Sequence, residues 1–244
     1  MSNEVENFFE ERKQAVEKMG NDEALKAKST EWIRHADNHQ YMYNFTWMGR
    51  PIIHFPTDLI AMQELIWQIK PDVIVETGIA HGGSIIFSAS MLELIGKGEV
   101  IAVDIDIRQH NRELIETHPM FKRITMIQGS SIDEQIINQI KQKIGNNKTV
   151  MVVLDSNHTH DHVLDELKLY GEMVSVSSYM ICMDTFVEDM PPGHVKNRPW
   201  DKGSNPMTAV FEYLQTNKNF EIDKAIDNKL LISEGRNGYL KKVK

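Results

Sequence analysis

Cysteine is nearly absent from this chain of 244 residues, which contains Cys182 alone. A single cysteine excludes an intramolecular disulfide framework and favours a reducing compartment. The sequence also lacks an apolar run of about 18 residues, the length that a membrane-spanning helix requires, and its acidic first residues are unlike a signal peptide. We therefore expect a cytoplasmic protein with no membrane partner.

Positive charge is scarce relative to negative charge. Lysine and arginine together number 27, against 35 aspartates and glutamates, which gives a formal net charge of −8. An acidic protein is repelled by the phosphates of nucleic acids and by anionic lipids, so we expect no nucleic acid as a partner. The hydrophobic fraction of 41% and the charged fraction of 25% are ordinary for a globular protein that buries a core.

Apolar runs and helical patterns alternate over most of the chain. The runs predict strands at about 72–77, 99–104, 123–128, 149–154 and 178–183, with helices between them. A run that is apolar throughout, such as 150–154, is typical of a parallel sheet covered by helices on both faces. A helix at about 206–217 and two closing strands, near 220–223 and 229–241, complete the pattern. The sequence therefore predicts an α/β fold.

The first part of the chain, from residue 2 to about 45, is polar and favours helices, with apolar residues loosely at helical spacing. Such a segment either caps an active site or forms a contact between subunits. Because it also contains aromatic residues, we expect a homo-oligomer. We expect one domain over 1–244, in which 1–45 form a helical extension or cap and 46–244 form the core.

The strand at 72–77 runs into a glycine-rich turn, Gly78-Ile-Ala-His-Gly-Gly83, that opens a helix. The next strand, about two dozen residues later, ends at Asp104 and Asp106. A glycine turn followed by an acidic residue at the next strand end is typical of a nucleotide-type ligand. Such a ligand lies at the carboxyl edge of a parallel sheet, and the acidic residue contacts its ribose.

The same turn favours a ligand without a diphosphate. Ala80 stands where the dinucleotide fingerprint has its middle glycine, and its methyl group would crowd a pyrophosphate. Glu76, just before the turn, would repel one. A cationic ligand with ribose hydroxyls suits both features, and S-adenosylmethionine is the common one. Three nearby residues have two interpretations each, a ligand contact or a helix start: His81, Ser131 and Asp133.

Two further aspartates, Asp155 and Asp184, end the fourth and fifth predicted strands. Because the carboxyl ends of neighbouring parallel strands lie side by side, we expect both carboxylates in the same crevice. Two carboxylates with waters and substrate oxygens suit Mg²⁺. The alternative is that Asp155 caps the next helix and Asp184 bonds a loop.

Three histidines follow Asp155 at alternate positions. His158 would lie at the top of the strand, where an imidazole can take a proton from a substrate hydroxyl. His160 and His162 compete for that role, although we expect His162 on the surface of the following helix. Spacings of two do not place all three on one helix face, so the sequence argues against a three-histidine zinc site.

These residues together resemble the family named for cephalosporin hydroxylases, which consists of S-adenosylmethionine-dependent methyltransferase folds and includes sugar O-methyltransferases. The resemblance covers about 45–242 and is based on Trp47-Met-Gly-Arg-Pro51, Glu76-Thr-Gly-Ile-Ala-His-Gly-Gly-Ser84, Val103-Asp-Ile-Asp106, Gly129-Ser-Ser131, Leu154-Asp-Ser-Asn-His158 and Asp184-Thr185. It implies a Rossmann-like class I methyltransferase fold. That fold has a seven-stranded, mostly parallel sheet with an antiparallel last strand, here preceded by an N-terminal helical extension.

The resemblance also implies roles for individual residues. The methionine and ribose side of the cofactor would be lined by Glu76, Gly78, His81 and Ser84. Asp104 would bind the ribose, and the region of Ser131 and Asp133 would approach the adenine. The ligands of Mg²⁺ would be Asp155 and Asp184, and the catalytic base would be His158.

One residue departs from the family's pattern. After the fifth strand the family usually has Glu-Asp-Thr, where this chain has Met183-Asp-Thr185. A thioether is a poor ligand for a hard cation. Three alternatives therefore stay open: Mg²⁺ held by Asp155 and Asp184 with additional waters, a metal-independent methyltransferase, and a degenerate site that binds S-adenosylmethionine without turnover.

We expect an O-methyltransferase that acts on a hydroxyl of a small polar acceptor, a sugar or a sugar-nucleotide. The first alternative is an NAD-dependent oxidoreductase on a Rossmann sheet, against which Ala80 and Glu76 argue. The second is an iron hydroxylase, whose His-x-Asp element is missing from His158-Thr-His-Asp-His162.

Overall fold

The computed structural model describes residues 3–244. Met1 and Ser2, at the start of the expected helical extension, lie outside the described residues. The helices are α1 (Asn3–Asn21), α2 (Glu23–Asp37), α3 (Pro56–Ile69), α4 (Gly83–Ile95), α5 (Gln109–Glu116), α6 (Glu134–Ile144), α7 (His160–Gly171), α8 (Pro206–Thr216) and α9 (Lys224–Leu230). The strands are β1 (Phe45–Trp47), β2 (Arg50–Ile52), β3 (Val73–Thr77), β4 (Glu99–Asp104), β5 (Ile124–Gln128), β6 (Val150–Leu154), β7 (Tyr179–Cys182), β8 (Phe220–Ile222) and β9 (Tyr239–Lys242).

The central sheet has seven strands in the order β5-β4-β3-β6-β7-β9-β8. Strands β3 to β7 pair in parallel, whereas β9 lies between β7 and β8 and is antiparallel to both. In the central register, Thr77 at the end of β3 lies beside Val103 of β4 and Leu154 of β6. The α/β fold and the antiparallel last strand are therefore confirmed.

The two faces of the sheet bury two separate apolar clusters. Every residue of β3 and β6 is buried, and successive side chains point to opposite faces. Ile74 belongs to the cluster on the side of α3 and α4, and Val75 to the cluster on the side of α6, α7 and α8. This arrangement explains why the strands are apolar throughout.

The N-terminal helices contact different parts of the molecule. Helix α1 packs against α9, whereas Ile33 of α2 belongs to a small cluster with Phe55, Phe186 and Met190. Helix α2 begins where the Asp22 side chain accepts a hydrogen bond from the backbone N–H of Leu25. Within residues 3–244, no helix combines the length and the apolar composition needed to cross a membrane.

The last predicted strand, 229–241, is wrong in its first part. Helix α9 occupies the region up to Leu230, and only Tyr239–Lys242 form a strand. Asp223 caps this helix by accepting from the backbone N–H of Ala225, and Ile226 and Leu230, four residues apart, are its buried residues. Because the helix is only two turns long, its two core-facing residues gave too weak a periodicity to recognise.

Candidate functional site

A cleft of about 1020 Å³ lies at the carboxyl edge of the sheet, above the ends of β3, β4 and β6. Its cover comes from two segments, the end of α2 with the residues up to Tyr43, and the loop from Phe186 to Trp200. The N-terminal extension therefore contributes residues to the lining of the cleft. The volume and the strand-end position suit a small-molecule ligand.

Gly78 begins the turn at the floor of the cleft and lets β3 and β6 come close together. Its φ is +89°, and a Cβ there would lie 1.9 Å from the carbonyl oxygen of Asp155. The Asp104 carboxylate accepts from the backbone N–H groups of Ile79, at 2.8 Å, and Ala80, at 3.4 Å. Asp104 therefore holds the turn in shape and also lines the cleft.

Two side chains fix the turn from outside the cleft. The guanidinium of Arg50 donates two hydrogen bonds to the carbonyl oxygen of His81, at 2.9 and 2.6 Å. The amide of Asn111 donates to the carbonyl oxygen of Ala80 at 2.9 Å. With its backbone held, His81 is exposed and lines the cleft. Arg50 is part of the Trp47-Met-Gly-Arg-Pro51 motif, but nothing in the sequence shows that its side chain is buried.

Glu76 lies behind the cleft wall, within β3. It is 1% exposed and accepts hydrogen bonds from the hydroxyls of Ser84 and Ser88. Burial raises the pKa of Glu76 to about 7, although the bond from Ser84 opposes the shift. Ser84 itself lines the cleft, so the structure places Ser84 and not Glu76 at the surface that a ligand would touch.

The residues after β5 are divided between the cleft and a helix cap. Ser131 lines the cleft, and its hydroxyl lies 3.0 Å from Nε2 of His162. Asp133 is outside the lining and caps α6, accepting from the backbone N–H of Gln135 at 2.8 Å. His162 also lines the cleft, so its expected place on the helix surface was wrong. It belongs to the first turn of α7, which faces Ser131.

The carboxylates of Asp155 and Asp184 and the imidazole of His158 form a cluster at one end of the cleft. Each offers an atom that could bind a metal ion, and these atoms lie within 4.8 Å of one another. Nε2 of His158 is 3.3 Å from Oδ2 of Asp184. Burial and the neighbouring charge of Asp184 raise the pKa of Asp155 well above its ordinary value. The cluster thus concentrates negative charge that a cation would stabilise.

The structure separates His158 from His160 as a candidate base. His158 lines the cleft, and its ring meets that of Trp200 edge to face at 4.9 Å. His160 points to α8, where Nδ1 lies 2.8 Å from the hydroxyl of Thr208 and Nε2 lies 3.1 Å from Glu212. Of these two, only His158 is placed to contact a bound molecule.

Met183 does not face this cluster. Its side chain is 1% exposed and packs in an apolar cluster below the sheet edge. Glu188 does not replace the missing carboxylate, because it accepts from the backbone of Gly203 at 2.7 Å and from the amide of Asn205 at 2.6 Å. Two carboxylates suit Mg²⁺, which takes only one or two from the protein and keeps several waters. The donor set present therefore fits that ion without a third acid.

Two cleft residues were not predicted from the sequence. His54 lines the cleft although it is 2% exposed, and its Nδ1 bonds the carboxylate of Glu234. Tyr43 lies in the cover, where partial burial and then the charge of Asp184 raise its pKa. Neither position has a motif around it, and the partner Glu234 is 180 residues away from His54.

Residues 39–243 match the protein family described as rhamnosyl O-methyltransferase/CmcI. The chain is 27% identical over 204 residues to a rhamnosyl O-methyltransferase of Mycobacterium bovis (strain BCG / Pasteur 1173P2), covering 80% of this chain and 77% of the relative. It is also 27% identical over 211 residues to the rhamnosyl O-methyltransferase of Mycobacterium leprae (strain TN), covering 83% of this chain and 87% of that protein.

Solved structures show the same fold at lower identity. A structure of CmcI with Mg and S-adenosylmethionine superposes with a TM-score of 0.58 and 18% identity, covering 83% of this chain and 78% of the other. An O-methyltransferase from Bacillus cereus in complex with S-adenosylhomocysteine gives a TM-score of 0.52 and 13% identity, covering 80% and 81%. The expected Rossmann-like methyltransferase fold is confirmed.

Proposed function

The chain belongs to the rhamnosyl O-methyltransferase/CmcI family, and on that premise we propose that it is an S-adenosylmethionine-dependent O-methyltransferase that methylates a hydroxyl of a sugar. The observation that supports the reaction most strongly is the cluster of Asp155, His158 and Asp184 at one end of the cleft. It brings a candidate base and a pair of carboxylates to the edge where the glycine turn and Asp104 would hold the cofactor.

The cleft wall suits S-adenosylmethionine in its chemistry. Asp104 and Ser131 would bind the ribose and the adenine, while Gly78, His81 and Ser84 would line the methionine side. Glu76 would act through Ser84, to which it is bonded. The acidic groups near the end of β6 favour a ligand with a sulfonium charge over one with a diphosphate.

Methyl transfer to oxygen is an in-line displacement. The acceptor oxygen forms a bond to the methyl carbon as the carbon–sulfur bond breaks, and the acceptor proton moves to the imidazole of His158. The other product is S-adenosylhomocysteine. Positioning of the two reactants contributes up to about 7–11 kcal/mol. A base in contact with the hydroxyl contributes about 10²–10⁴-fold.

His158 is oriented for this role by its neighbours. The carboxylate of Asp184 lies 3.3 Å from its Nε2, and the edge-to-face contact with Trp200 restricts the ring. Asp155 and Asp184 would also hold Mg²⁺, which when bound positions the acceptor oxygens and lowers the pKa of the hydroxyl. Tyr43 and Trp200 in the cover would exclude water from the acceptor.

The test is an assay of methyl transfer from labelled S-adenosylmethionine to a panel of rhamnosides and nucleotide sugars, with binding of S-adenosylhomocysteine and NAD measured in parallel. We expect label in at least one sugar product and binding of S-adenosylhomocysteine alone. Binding of NAD without S-adenosylhomocysteine would instead support the oxidoreductase alternative.

We also propose that the chain is a cytoplasmic homo-oligomer of a single domain. The packing of α1 on α9 and of α2 on the cluster with Phe186 supports one domain, and the buried, free Cys182 suits a reducing compartment. Phe8 and Phe9 on α1 are 61% and 46% exposed, which supports an intersubunit contact. Light scattering should show an oligomer that the double variant Phe8→Ser/Phe9→Ser reduces to a monomer.

A further inference from the structure

We propose that His54 binds the carboxylate of the cofactor's methionine moiety, and that Glu234 positions the imidazole for this contact. The inference is based on the proposed function, because it assumes that S-adenosylmethionine occupies the cleft. It assigns a role to two buried residues that the family resemblance leaves without one.

His54 has one ring nitrogen bound inside the protein and one left without a partner. Nδ1 bonds Oε1 of Glu234. Among residues 3–244, no group forms a hydrogen bond to Nε2, and this atom is not one of the unpartnered polar atoms sealed from solvent. Since His54 lines the cleft while being 2% exposed, Nε2 opens to the cleft. A nearly buried polar group without a partner is costly unless a ligand completes it.

Glu234 is held firmly enough to fix the imidazole. Its backbone N–H donates to Oδ2 of Asp58 at 3.1 Å, and Oδ1 of Asp58 accepts from the hydroxyls of Ser233, at 2.6 Å, and Tyr239, at 2.7 Å. All of these groups are buried. The network leaves Glu234 little freedom, so its bond to Nδ1 sets the orientation of the ring.

The same pair keeps the imidazole a donor at both nitrogens. Burial opposes a charge on His54, but the charge and the hydrogen bond of Glu234 outweigh it and raise the pKa of His54 above its ordinary value. An imidazolium donates from Nε2, and a carboxylate is a strong acceptor for such a charged donor.

The position of His54 matches the methionine end of the ligand. The segment that leads to it packs on the start of α4, since a Cβ at Gly83 would lie 2.1 Å from the carbonyl oxygen of Pro51. The acids whose charges act on His54 include Glu76 of β3 and Asp155 after β6, whereas Asp104, the ribose candidate, is the last residue of β4 on the other side of β3. Ribose and carboxylate would then lie on opposite sides of the glycine turn.

The cleft offers a carboxylate few other partners. The side chains of Asp155 and Asp184 are hydrogen-bond acceptors and cannot pair with the carboxylate of the methionine moiety. Among the described cationic side chains that line the cleft, His54 is the buried one, whereas Lys196 and Arg198 are exposed in the cover. Among the described lining residues, His54 is therefore the buried cationic side chain that could pair with the carboxylate of the ligand.

The experiment compares two ligands that differ by the carboxylate alone. Dissociation constants of S-adenosylhomocysteine and decarboxylated S-adenosylhomocysteine are measured by calorimetry for the wild type, for His54→Gln/Glu234→Gln and for His110→Gln. The double variant removes both buried charges together, so no uncompensated charge is left to unfold the chain. His110 is an exposed histidine outside the cleft and serves as the matched control.

We expect the wild type and His110→Gln to bind S-adenosylhomocysteine about 10- to 100-fold more tightly than the decarboxylated compound, as for a charged hydrogen bond. In the double variant this ratio should fall close to one, with the decarboxylated compound bound as before. An unchanged ratio in a variant with a wild-type melting curve would overturn the role of His54 and leave the proposed function standing. Failure of the wild type to bind either compound would overturn both.

If the double variant does not fold, Glu234→Gln alone replaces it. That change keeps a hydrogen-bonding group beside Nδ1 and removes the charge that raises the pKa of His54. We expect it to lower the ratio between the two ligands at both pH 6 and pH 8, because burial favours the neutral imidazole once the charge of Glu234 is gone. A ratio equal to that of the wild type at both pH values would contradict the proposal.

Discussion

The acidic side chains at the two edges of the central sheet have pKa values that are shifted in opposite directions. At the amino edge, Asp72 precedes β3, and its carboxylate lies 2.9 Å from Nζ of Lys97 and 2.9 Å from the backbone nitrogen of Thr149. These bonds lower its pKa. At the carboxyl edge, burial raises the pKa values of Glu76 and Asp155. The first edge stabilises its charge within the fold, and the second does not.

This difference identifies the functional edge without reference to any relative. Buried acids with raised pKa values and too few partners weaken the fold unless a ligand supplies what is missing. The carboxyl edge has a cleft in which a sulfonium or a metal cation could supply it. Asp72 at the amino edge needs no ligand, because its carboxylate already pairs with Lys97 and with the backbone N–H of Thr149.

The largest expected effect tests the base at the carboxyl edge. His158→Gln should lower kcat by about 10²–10⁴-fold and leave the affinity for S-adenosylhomocysteine unchanged, because the side chain would contact the acceptor. Steady-state kinetics and calorimetry measure the two quantities. The matched control is His160→Gln, whose side chain faces Thr208 and Glu212. Equal losses in both variants would remove His158 from the mechanism.

A smaller loss of activity is expected from Asp184→Asn, together with a gain in stability. The asparagine keeps the shape but loses the charge that orients His158, so kcat should fall about 10–100-fold. Because the charge of Asp184 also raises the pKa of Asp155, the melting temperature should rise. If both kcat and the melting temperature of this variant fall, Asp184 stabilises the fold, as Asp72 does at the amino edge.

The pH dependence of stability should have opposite signs at the two edges. The pKa of Glu76 is raised to about 7 in the folded protein, so the wild type loses stability as pH rises from the unfolded value of about 4.3 towards 7. Glu76→Gln removes this loss. Its free energy of unfolding relative to the wild type should increase between pH 5 and pH 8 by about 1–3 kcal/mol, as measured by urea denaturation. A pH-independent difference would contradict the assignment.

The smallest effect is expected from Asp72→Asn at the amino edge. The lowered pKa of Asp72 means that its contribution is present above the unfolded value of about 3.9 and is lost as pH falls through the folded value. The variant should be less stable than the wild type by about 1 kcal/mol at pH 7, and the difference should shrink as pH falls below the unfolded pKa. Methyl transfer should be unaffected, and a loss of activity would break the comparison between the edges.

The sequence allowed most of the fold to be predicted because the strands are short, wholly apolar and separated by clear helix starts. The glycine turn, Asp104, Ser131, His158 and the strand-end aspartates were found for the same reason, since strand ends in a parallel sheet converge. The misassigned region before β9 lies where a two-turn helix offers only two core-facing residues.

Long-range pairs could not be found in this way. His54 and Glu234 lie 180 residues apart, and each alone is an ordinary polar residue next to an apolar stretch. Arg50 is buried only because the β1–β2 hairpin folds against the glycine turn. Side chains that act through tertiary contacts have no local pattern, so their roles emerge only from the folded chain.

The most direct test of the central claim is the binding of Mg²⁺ and S-adenosylhomocysteine to the same protein. Calorimetric titration of the wild type with MgCl₂, in the presence of saturating S-adenosylhomocysteine, should give one ion per chain, and Asp184→Asn should give none. Such a result would show that the unsatisfied acids of the carboxyl edge hold a cation beside the cofactor. A wild type that binds neither the ion nor S-adenosylhomocysteine would contradict the account.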